Sequence, residues 1–290
     1  MLKLPLIALA IALLSIEAAD AQTSITPDVV YGHKFGLALT FDVFTPEANA
    51  NGAGVLFMVS GGWYSNWAPP EQAQQMFRPL TDAGYTVFAV RHGSSPKFSI
   101  PEAVEDVRRS VRFIRSNASR FAVDPNRLGV FGMSAGGHLS LMLGTDADEG
   151  DAKASDPVLR SSDRVQAVAA WVPPTDLTIM VREASNRLPA YDRFPALDLD
   201  LENARRFSPL MLVTDEDAPT LLLAGDKDDL VPIEHSRRIY AAFEKAGVAS
   251  KLVVIEGAGH SFGGADLSRA VGEMVAWFDS HLVNQAANGR

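Results

Sequence analysis

Apolar residues in this chain fall into short, nearly continuous runs separated by longer segments of mixed polarity. Six such runs lie at residues 55–59, 85–90, 128–131, 165–172, 220–224 and 252–255. Their length and uninterrupted apolar character are typical of strands buried on both faces, as in a parallel sheet. Two further runs rich in β-forming residues lie within residues 28–44, around Gly32 and Gly36, and predict an antiparallel hairpin.

Between most of these runs, apolar residues recur at helical spacing. The clearest case follows a capping box, Ser99-Ile-Pro-Glu102, after which one face carries Val104, Val107, Val111 and Ile114. The other face is charged and is predicted to be a solvated surface; it carries Glu105, Arg108, Arg109, Arg112 and Arg115. Three more helices are predicted within residues 138–143, 233–246 and 267–282. Strands that alternate with helices predict an α/β fold, with a mostly parallel central sheet and helices on both faces.

The first 21 residues have the pattern of a signal peptide rather than of folded structure. Lys3 supplies a positive charge, residues 4–16 form an apolar stretch too short to span a bilayer, and Ala19-Asp20-Ala21 fits a cleavage site. We therefore expect residues 1–21 to be removed, leaving one domain over residues 22–290 without a stable membrane span. The protein would then be periplasmic or secreted. The alternative is an uncleaved membrane anchor.

Composition excludes several classes of partner. The chain of 290 residues is 47% hydrophobic and 21% charged, which suffices for one α/β domain with a large core. A formal net charge of -9 argues against nucleic acid or an anionic membrane as a partner. The sequence has no cysteine, no His-Glu-x-x-His, no EF-hand loop and no phosphate-binding glycine motif. It therefore predicts neither a metal site nor a cofactor.

The most informative stretch reads Val-Phe-Gly-Met-Ser-Ala-Gly-Gly-His and contains the pattern Gly-x-Ser-x-Gly. It lies between an apolar run and a helical segment, which is the strand–turn–helix context of a nucleophile elbow. In such a turn Ser134 stands exposed above the sheet, while Gly132 and Gly136 let strand and helix pass closely. The N–H of Ala135, at the helix N-terminus, is a candidate oxyanion donor. A glycine-rich turn with an incidental serine is the alternative.

Two further loops supply the partners that a nucleophilic serine needs. The fifth apolar run ends in an aspartate-rich loop, and the sixth ends in a loop that carries His260. Both loops follow the carboxyl ends of predicted parallel strands, where active sites of open α/β sheets form. His260 can take the serine proton. A carboxylate must then fix its tautomer, and the loop offers Asp226, Asp228 and Asp229.

These motifs, in the order serine, acid, histidine, resemble the esterase/lipase branch of the α/β-hydrolase superfamily. The similarity is greatest to small acetyl-esterase and feruloyl-esterase-like enzymes (BD-FAE-like), over about residues 55–262. It implies an α/β-hydrolase fold with a Ser-His-Asp triad. In such families the catalytic acid is the Asp two residues after the first Asp of the loop, which implies Asp228. Asp226 and Asp229 are the fallbacks, as residues that shape the loop.

A third element of the resemblance is Val-Ser-Gly-Gly-Trp, which follows the first buried apolar run. Related esterases carry His-Gly-Gly-Gly-Trp or His-Gly-Gly-x-Trp here, and backbone N–H groups of this loop complete the oxyanion hole. Val59 or Ser60 replaces the histidine, depending on how the aromatic residues are aligned. Gly61 and Gly62 are retained in both alignments, so the resemblance implies that they form the hole together with Ala135. A simple strand-end turn is the alternative.

Two polar segments are interpreted as insertions, at residues 146–164 and 175–217. In hydrolases of this kind the region corresponding to 175–217 often forms a small cap over the pocket, which we predict here; a solvated surface excursion is the alternative. Side chains beside the elbow and the glycine loop are candidates for a substrate pocket, namely Trp63, Tyr64 and Met133.

The remaining histidines are assigned structural roles. His138 follows the elbow, and the turn points its side chain away from Ser134. His92 follows a strand and is assigned to a loop, with a place in the pocket as the alternative. His33, His235 and His281 lie in hairpin, helix and C-terminal contexts.

Together these features predict a secreted or periplasmic serine esterase that acts on short acyl, aryl or sugar esters through an acyl-enzyme. Its partners would be small-molecule or polysaccharide-linked esters. A prolyl-oligopeptidase-like serine peptidase is one alternative, but no propeller precedes the domain, and Leu230 stands where those peptidases usually carry Arg. A non-catalytic binding protein on a hydrolase scaffold is the other, although it would not need an intact Ser, Asp and His set.

Overall fold

One eight-stranded sheet organises the protein in the computed structural model, which describes residues 23–284. The strand order is β1-β2-β4-β3-β5-β6-β7-β8. The strands are β1 (Thr23–Lys34), β2 (Leu37–Pro46), β3 (Gly54–Met58), β4 (Thr86–Val90), β5 (Leu128–Met133), β6 (Ala167–Trp171), β7 (Thr220–Gly225) and β8 (Ser250–Ile255).

Strand directions confirm the predicted α/β architecture. β1 and β2 form an antiparallel hairpin, and β2 pairs antiparallel with β4. The hairpin turns through Phe35 and Gly36, whose φ angles of 48° and 80° suit the two-residue turns that match strand twist. From β4 to β8 all pairs are parallel, so these strands have their carboxyl ends at one edge of the sheet.

Helices cover both faces of the sheet, as expected for parallel strands. Within residues 23–284 the α-helices are α1 (Gln74–Asp82), α2 (Ile100–Ser116), α3 (Ala135–Thr145), α4 (Leu201–Arg206), α5 (Glu234–Ala246) and α6 (Gly264–Phe278). The predicted capping box starts α2: the backbone N–H of Ser99 donates to Glu102 Oε2 at 2.9 Å.

Two core clusters fill the space between the sheet and its helices. The first core cluster includes Val107 of α2, Val130 of β5 and Leu139 of α3. The second core cluster includes Phe131 of β5 and Met274 of α6. Val130 and Phe131 are consecutive, and they separate into different clusters because successive strand side chains point to opposite faces. The two clusters therefore mark the two faces of the sheet.

The prediction of a solvated charged face on α2 is wrong. Arg108 and Arg112 are buried, and so is Asp163 of the first polar insertion. Arg112 Nη2 donates to Asp163 Oδ2 at 2.9 Å and to Asp148 Oδ1 at 2.7 Å, and Arg108 Nη1 donates to Asp163 Oδ2 at 3.3 Å. Residues 146–164 fold back over α2, and buried charges persist because each finds an opposite partner.

The predicted signal peptide, residues 1–21, lies outside the described residues. Over residues 23–284, no helix combines the length and the apolar character needed to cross a bilayer.

Candidate active site

Ser134 occupies a strained turn between β5 and α3. Its φ of 57° and ψ of -121° are unfavourable for a residue with a side chain, and such strain is typical of functional sites. A Cβ on Gly132 would lie 2.4 Å from the carbonyl carbon of Gly136, and a Cβ on Gly136 would lie 2.7 Å from the Met58 carbonyl oxygen. Both positions therefore require glycine, and the turn has the backbone geometry of a nucleophile elbow.

The structure brings Ser134, His260 and Asp228 into one hydrogen-bonded series. His260 Nε2 lies 2.9 Å from Ser134 Oγ, and His260 Nδ1 lies 2.7 Å from Asp228 Oδ2. The second oxygen of Asp228 accepts from the N–H groups of Leu230 at 2.9 Å and Val231 at 2.8 Å. Asp228 is 1% exposed against 24% for His260. The carboxylate is thus fixed and shielded, while the imidazole faces the opening.

The other two aspartates of the loop stand apart from His260. Asp226 Oδ1 accepts the N–H of Gly257 at 2.6 Å, and Lys227 N–H donates to the Ala258 carbonyl at 2.9 Å. These bonds join the loop after β7 to the loop after β8. Asp229 is exposed. The geometry supports the assignment that the family resemblance implied.

Two backbone N–H groups are available to an oxyanion beside Ser134. Those of Ala135 and Gly62 have no hydrogen-bond partner in the described part of the chain. Gly61 departs from the expectation: its N–H donates to the Tyr64 carbonyl at 3.0 Å, because residues 61–64 close into a tight antiparallel bridge. The predicted hole therefore reduces to Gly62 and Ala135, with Ala135 at the positive end of α3.

A second serine–histidine contact holds the glycine loop. Ser60 Oγ lies 2.9 Å from His92 Nε2, and His92 Nδ1 lies 2.9 Å from the Gly93 carbonyl. Since a carbonyl only accepts, Nδ1 carries the proton and Nε2 accepts from the Ser60 hydroxyl. Burial lowers the pKa of His92 to about 4, so this tautomer is neutral. The backbone carbonyl of Ser60 also accepts the N–H of Gly136 at 3.2 Å, which ties the glycine loop to the elbow.

This contact was missed by sequence reasoning, which placed His92 in a loop or in the pocket. The sequence gives little signal for it: Val59 or Ser60 stands where related esterases carry a histidine, while His92 comes from the loop after β4.

A small apolar pocket opens beside Ser134, with a cavity volume of about 10 Å³. The pocket is lined by Gly62, Trp63, Ser134, Pro174, Met180, Tyr191, Phe194, Leu230 and Val231. We call it the acyl pocket.

The predicted cap segment supplies part of the acyl pocket. Met180, Tyr191 and Phe194 all come from residues 175–217, and Phe194 packs so closely on Gly62 that a Cβ there would lie 2.6 Å from its ring. Burial, with a smaller effect of the Asp228 charge, raises the pKa of Tyr191 to about 12, so its phenol is neutral. Movement of this segment as a cap stays a prediction.

Of the three predicted pocket residues, only Trp63 lines the acyl pocket. Tyr64 does not, because the bridge to Gly61 turns the chain away after Trp63. Met133 lies in a different apolar groove, between α1 and α6. The lining residues from the insertion were missed because they are isolated apolar residues in a segment without periodicity.

His138 packs rather than acting as a base, as predicted. Its Nδ1 accepts from Trp63 Nε1 at 3.3 Å, and its Nε2 lies 2.7 Å from the Phe207 carbonyl. Burial lowers its pKa to about 4, so the ring stays neutral. His138 thereby joins the acyl pocket to the insertion.

Over residues 23–284, no group of three or more His, Cys, Asp or Glu side chains has an arrangement that could hold a metal ion.

A family model and several curated relatives match this chain. The family model named BD-FAE matches residues 41–243 of this chain. The chain is 31% identical to esterase LipQ of Mycobacterium tuberculosis over 268 residues, covering 89% of this chain and 62% of the relative. It is 30% identical to ethyl acetate hydrolase of Pseudomonas putida over 220 residues, covering 73% of this chain and 66% of the relative. The chain thus spans about half to two thirds of the length of these curated relatives.

A solved structure shares the architecture. A truncated carbohydrate esterase from gut microbiota superposes with a TM-score of 0.75 at 24% identity, covering 91% of this chain and 98% of that chain. At this level of identity the likeness concerns the fold, and it agrees with the predicted α/β-hydrolase architecture.

Proposed function

Because the chain belongs to the BD-FAE family, we propose that it hydrolyses carboxylic esters through an acyl-enzyme formed on Ser134. The observation that carries this proposal is the hydrogen-bonded series from Asp228 through His260 to Ser134, at 2.7 and 2.9 Å. A hydroxyl held by an imidazole that a buried carboxylate orients is what nucleophilic catalysis needs. Relatives named as an esterase and an ethyl acetate hydrolase support the same reaction class.

In the first half-reaction, Ser134 Oγ attacks the ester carbonyl carbon while His260 Nε2 takes its proton. Negative charge develops on the former carbonyl oxygen, to which the N–H groups of Gly62 and Ala135 donate. Donors of this kind each contribute about 3 kcal/mol to transition-state stabilisation, because they are already oriented before the charge forms. The ester C–O bond then breaks, and His260 returns the proton to the departing alkoxide.

In the second half-reaction, water attacks the acyl carbon and His260 takes the water proton. The Ser134 Oγ–acyl bond breaks, and the proton passes from His260 back to Ser134. In both halves the Asp228 carboxylate holds Nδ1 protonated and stabilises the imidazolium while it exists.

The acyl pocket restricts the acid part of the substrate. Trp63, Tyr191 and Phe194 leave little free space beside Ser134, and no charged side chain is among the lining residues. A short, uncharged acyl group therefore needs the least movement of these rings, and each further methylene must displace an aromatic ring further. We therefore propose a preference for acetyl to butyryl esters.

The peptidase alternative receives less support. Leu230 lies in the wall of the apolar acyl pocket, so the position that carries Arg in prolyl-oligopeptidase-like enzymes offers no cation here. The two relatives cited above are also named as enzymes that act on esters, not on peptides.

Export is proposed from the sequence of residues 1–21. N-terminal mass analysis of the protein expressed in a bacterial host is its test. A chain that begins at Gln22 in the periplasm or medium supports export, and an intact N-terminus retained in the cytoplasm contradicts it.

Hydrolysis of p-nitrophenyl esters from acetate to octanoate, by wild type and Ser134→Ala, tests the proposed function. We expect kcat/KM to be highest for the short esters and to fall in Ser134→Ala by about 10⁴ or more. Equal activity of the two proteins would overturn the role of Ser134. A preference for octanoate would overturn the assignment of the acyl pocket.

A further inference from the structure

An apolar groove lies between α1 and α6, separate from the acyl pocket. Its cavity volume is about 180 Å³, and it is lined by Phe57, Met76, Phe131, Gly132, Met133, Trp171, Leu267, Val271 and Met274. We call it the α1/α6 groove. None of these lining residues is charged.

The groove and the acyl pocket lie on opposite faces of the sheet. Trp171 of the groove belongs to the second core cluster, whereas Trp63 and Tyr191 of the acyl pocket belong to the first. Two consecutive residues mark the boundary, since Met133 lines the groove and Ser134 lines the acyl pocket. Ser134 therefore lies at the boundary between the two apolar spaces.

Apolar side chains at the mouth of the groove are exposed to water. Met76 is 51% exposed, and Met133 and Leu267 are each 43% exposed. A single exposed apolar residue needs no explanation, but three around one groove beside a reactive serine mark a binding surface.

His260 lies on the same side as the groove. Ala258 and Phe262, two residues before and after it, pack against the second core cluster, and the ring of Phe262 lies 5.8 Å from that of Trp171. In the proposed reaction His260 protonates the leaving oxygen, so the departing alcohol must be next to His260. The acyl group stays on Ser134, facing the acyl pocket.

We propose that the α1/α6 groove binds the alcohol part of the ester, and that this part is an alkyl or aryl group rather than a charged one. The proposal rests on the proposed ester hydrolysis and adds its substrate class: a short acyl group joined to an apolar alcohol. When the ester C–O bond breaks and His260 Nε2 gives its proton to the alkoxide, the alcohol leaves through the mouth formed by Met76, Met133 and Leu267.

The test keeps the acyl group constant and varies the alcohol, with ethyl, butyl, hexyl and phenyl acetate as substrates. We expect kcat/KM to rise about tenfold from ethyl to hexyl acetate, as methylene groups leave water for a half-open groove. Leu267→Glu should bring the hexyl-to-ethyl ratio close to one. Leu159→Glu, which replaces a leucine that is 41% exposed elsewhere on the surface, should keep the wild-type ratio. A flat wild-type series, or a ratio unchanged by Leu267→Glu, would overturn the proposal.

Binding to the Ser134→Ala variant separates this proposal from the proposed function. Ligand-observed NMR with 1-hexanol should detect binding to Ser134→Ala and a loss of that binding when Leu267→Glu is added. No hexanol binding overturns the groove proposal even if acetate esters are hydrolysed. Hexanol binding that depends on Leu267 supports it even where no ester is turned over, in which case the proposed hydrolysis fails alone.

Discussion

Asp228 uses its two carboxylate oxygens for different purposes, and this decides what an amide in its place would do. One oxygen holds His260 Nδ1, and the other accepts two backbone N–H groups. In Asp228→Asn the amide oxygen can still accept the two backbone N–H groups, so the loop keeps its conformation. The amide NH₂ then faces His260 Nδ1 as a donor, where the carboxylate was an acceptor. We expect kcat to fall by about 10⁴ with the fold retained.

Steady-state kinetics measures kcat of Asp228→Asn, and circular dichroism shows whether its fold is retained. Asp229→Asn, at the exposed neighbouring position, is the control and should keep wild-type kcat. The assignment is wrong if Asp228→Asn is nearly as active as wild type while Asp226→Asn is inactive.

His92 acts on the proposed reaction through Ser60, as a positioning residue. Its hydrogen bond at 2.9 Å holds the loop that carries the Gly62 donor. Removing it in His92→Ala should lower kcat about tenfold with KM little changed, because the donor acts chiefly in the transition state. Ser60→Ala should have an effect of similar size.

A double-mutant cycle distinguishes positioning from general damage to the fold. The double variant His92→Ala/Ser60→Ala should be no slower than either single variant, since both remove the same bond. Multiplied losses in the double variant would contradict the role, and the exposed His33→Ala serves as the control.

At the scale of elements, the β5–α3 turn depends on the absence of side chains at two positions. A Cβ on Gly132 would lie 2.4 Å from Gly136 backbone atoms, whereas a Cβ on Gly272 of α6 meets nothing within 4 Å. Gly132→Ala should thus lower the free energy of unfolding by about 3 kcal/mol. Gly272→Ala should raise it by about 0.5–1 kcal/mol, because alanine is the better helix former. Urea unfolding measures both, and similar values for the two variants would contradict this account of the turn.

Elements and site residues that depend on local pattern were predictable from the sequence. The parallel strands, the capping box at Ser99 and the strand–turn–helix around Ser134 all express short-range rules of periodicity, capping and steric space. Asp228 needed more, because three aspartates stand in one loop and only the family resemblance separated them.

Features that depend on distant segments were not predictable in the same way. The arginines of α2 look like a solvated face until residues 146–164 cover them. Phe194 contacts Gly62 from an irregular segment, so no hydrophobic periodicity predicts this contact. Gly61 was predicted to donate to the oxyanion, but its N–H is taken up by the bridge with Tyr64. This backbone geometry cannot be read from the sequence.

For the molecule as a whole, buried histidines make folding sensitive to acid. Burial lowers the pKa values of His92, His138 and His235 to about 4 each. The unfolded chain binds these protons near the ordinary histidine pKa of ~6.5. Between these values the unfolded state binds more protons, so stability falls as pH falls. Burial raises the pKa of Asp217 to about 6. Its folded form therefore binds more protons than the unfolded chain below that pH, so its contribution to stability rises as pH falls.

A comparison of variants isolates the histidine contribution from the carboxylates. From pH 7 to pH 5, His138 alone should cost about 2 kcal/mol of unfolding free energy. His138→Gln should therefore lose less stability than wild type over that interval, by about this amount. The exposed His33→Gln should keep the wild-type slope. Parallel pH profiles for wild type and His138→Gln would contradict the buried neutral histidine.

The sheet places two apolar sites on opposite faces, with Ser134 between them. The acyl pocket, which we propose holds a short acyl group, lies on one side, and the apolar α1/α6 groove lies on the other. In this arrangement the proposed hydrolysis requires that Ser134 becomes covalently acylated.

Covalent labelling shows whether Ser134 is the nucleophile. The wild-type protein is treated with a fluorophosphonate, digested and mapped by mass spectrometry, while ester hydrolysis is followed in parallel. We predict that the label lies on the peptide containing Ser134, that hydrolysis is lost in proportion to labelling, and that Ser134→Ala takes no label. Label on another serine such as Ser60, or full ester hydrolysis by protein labelled at Ser134, would contradict the account.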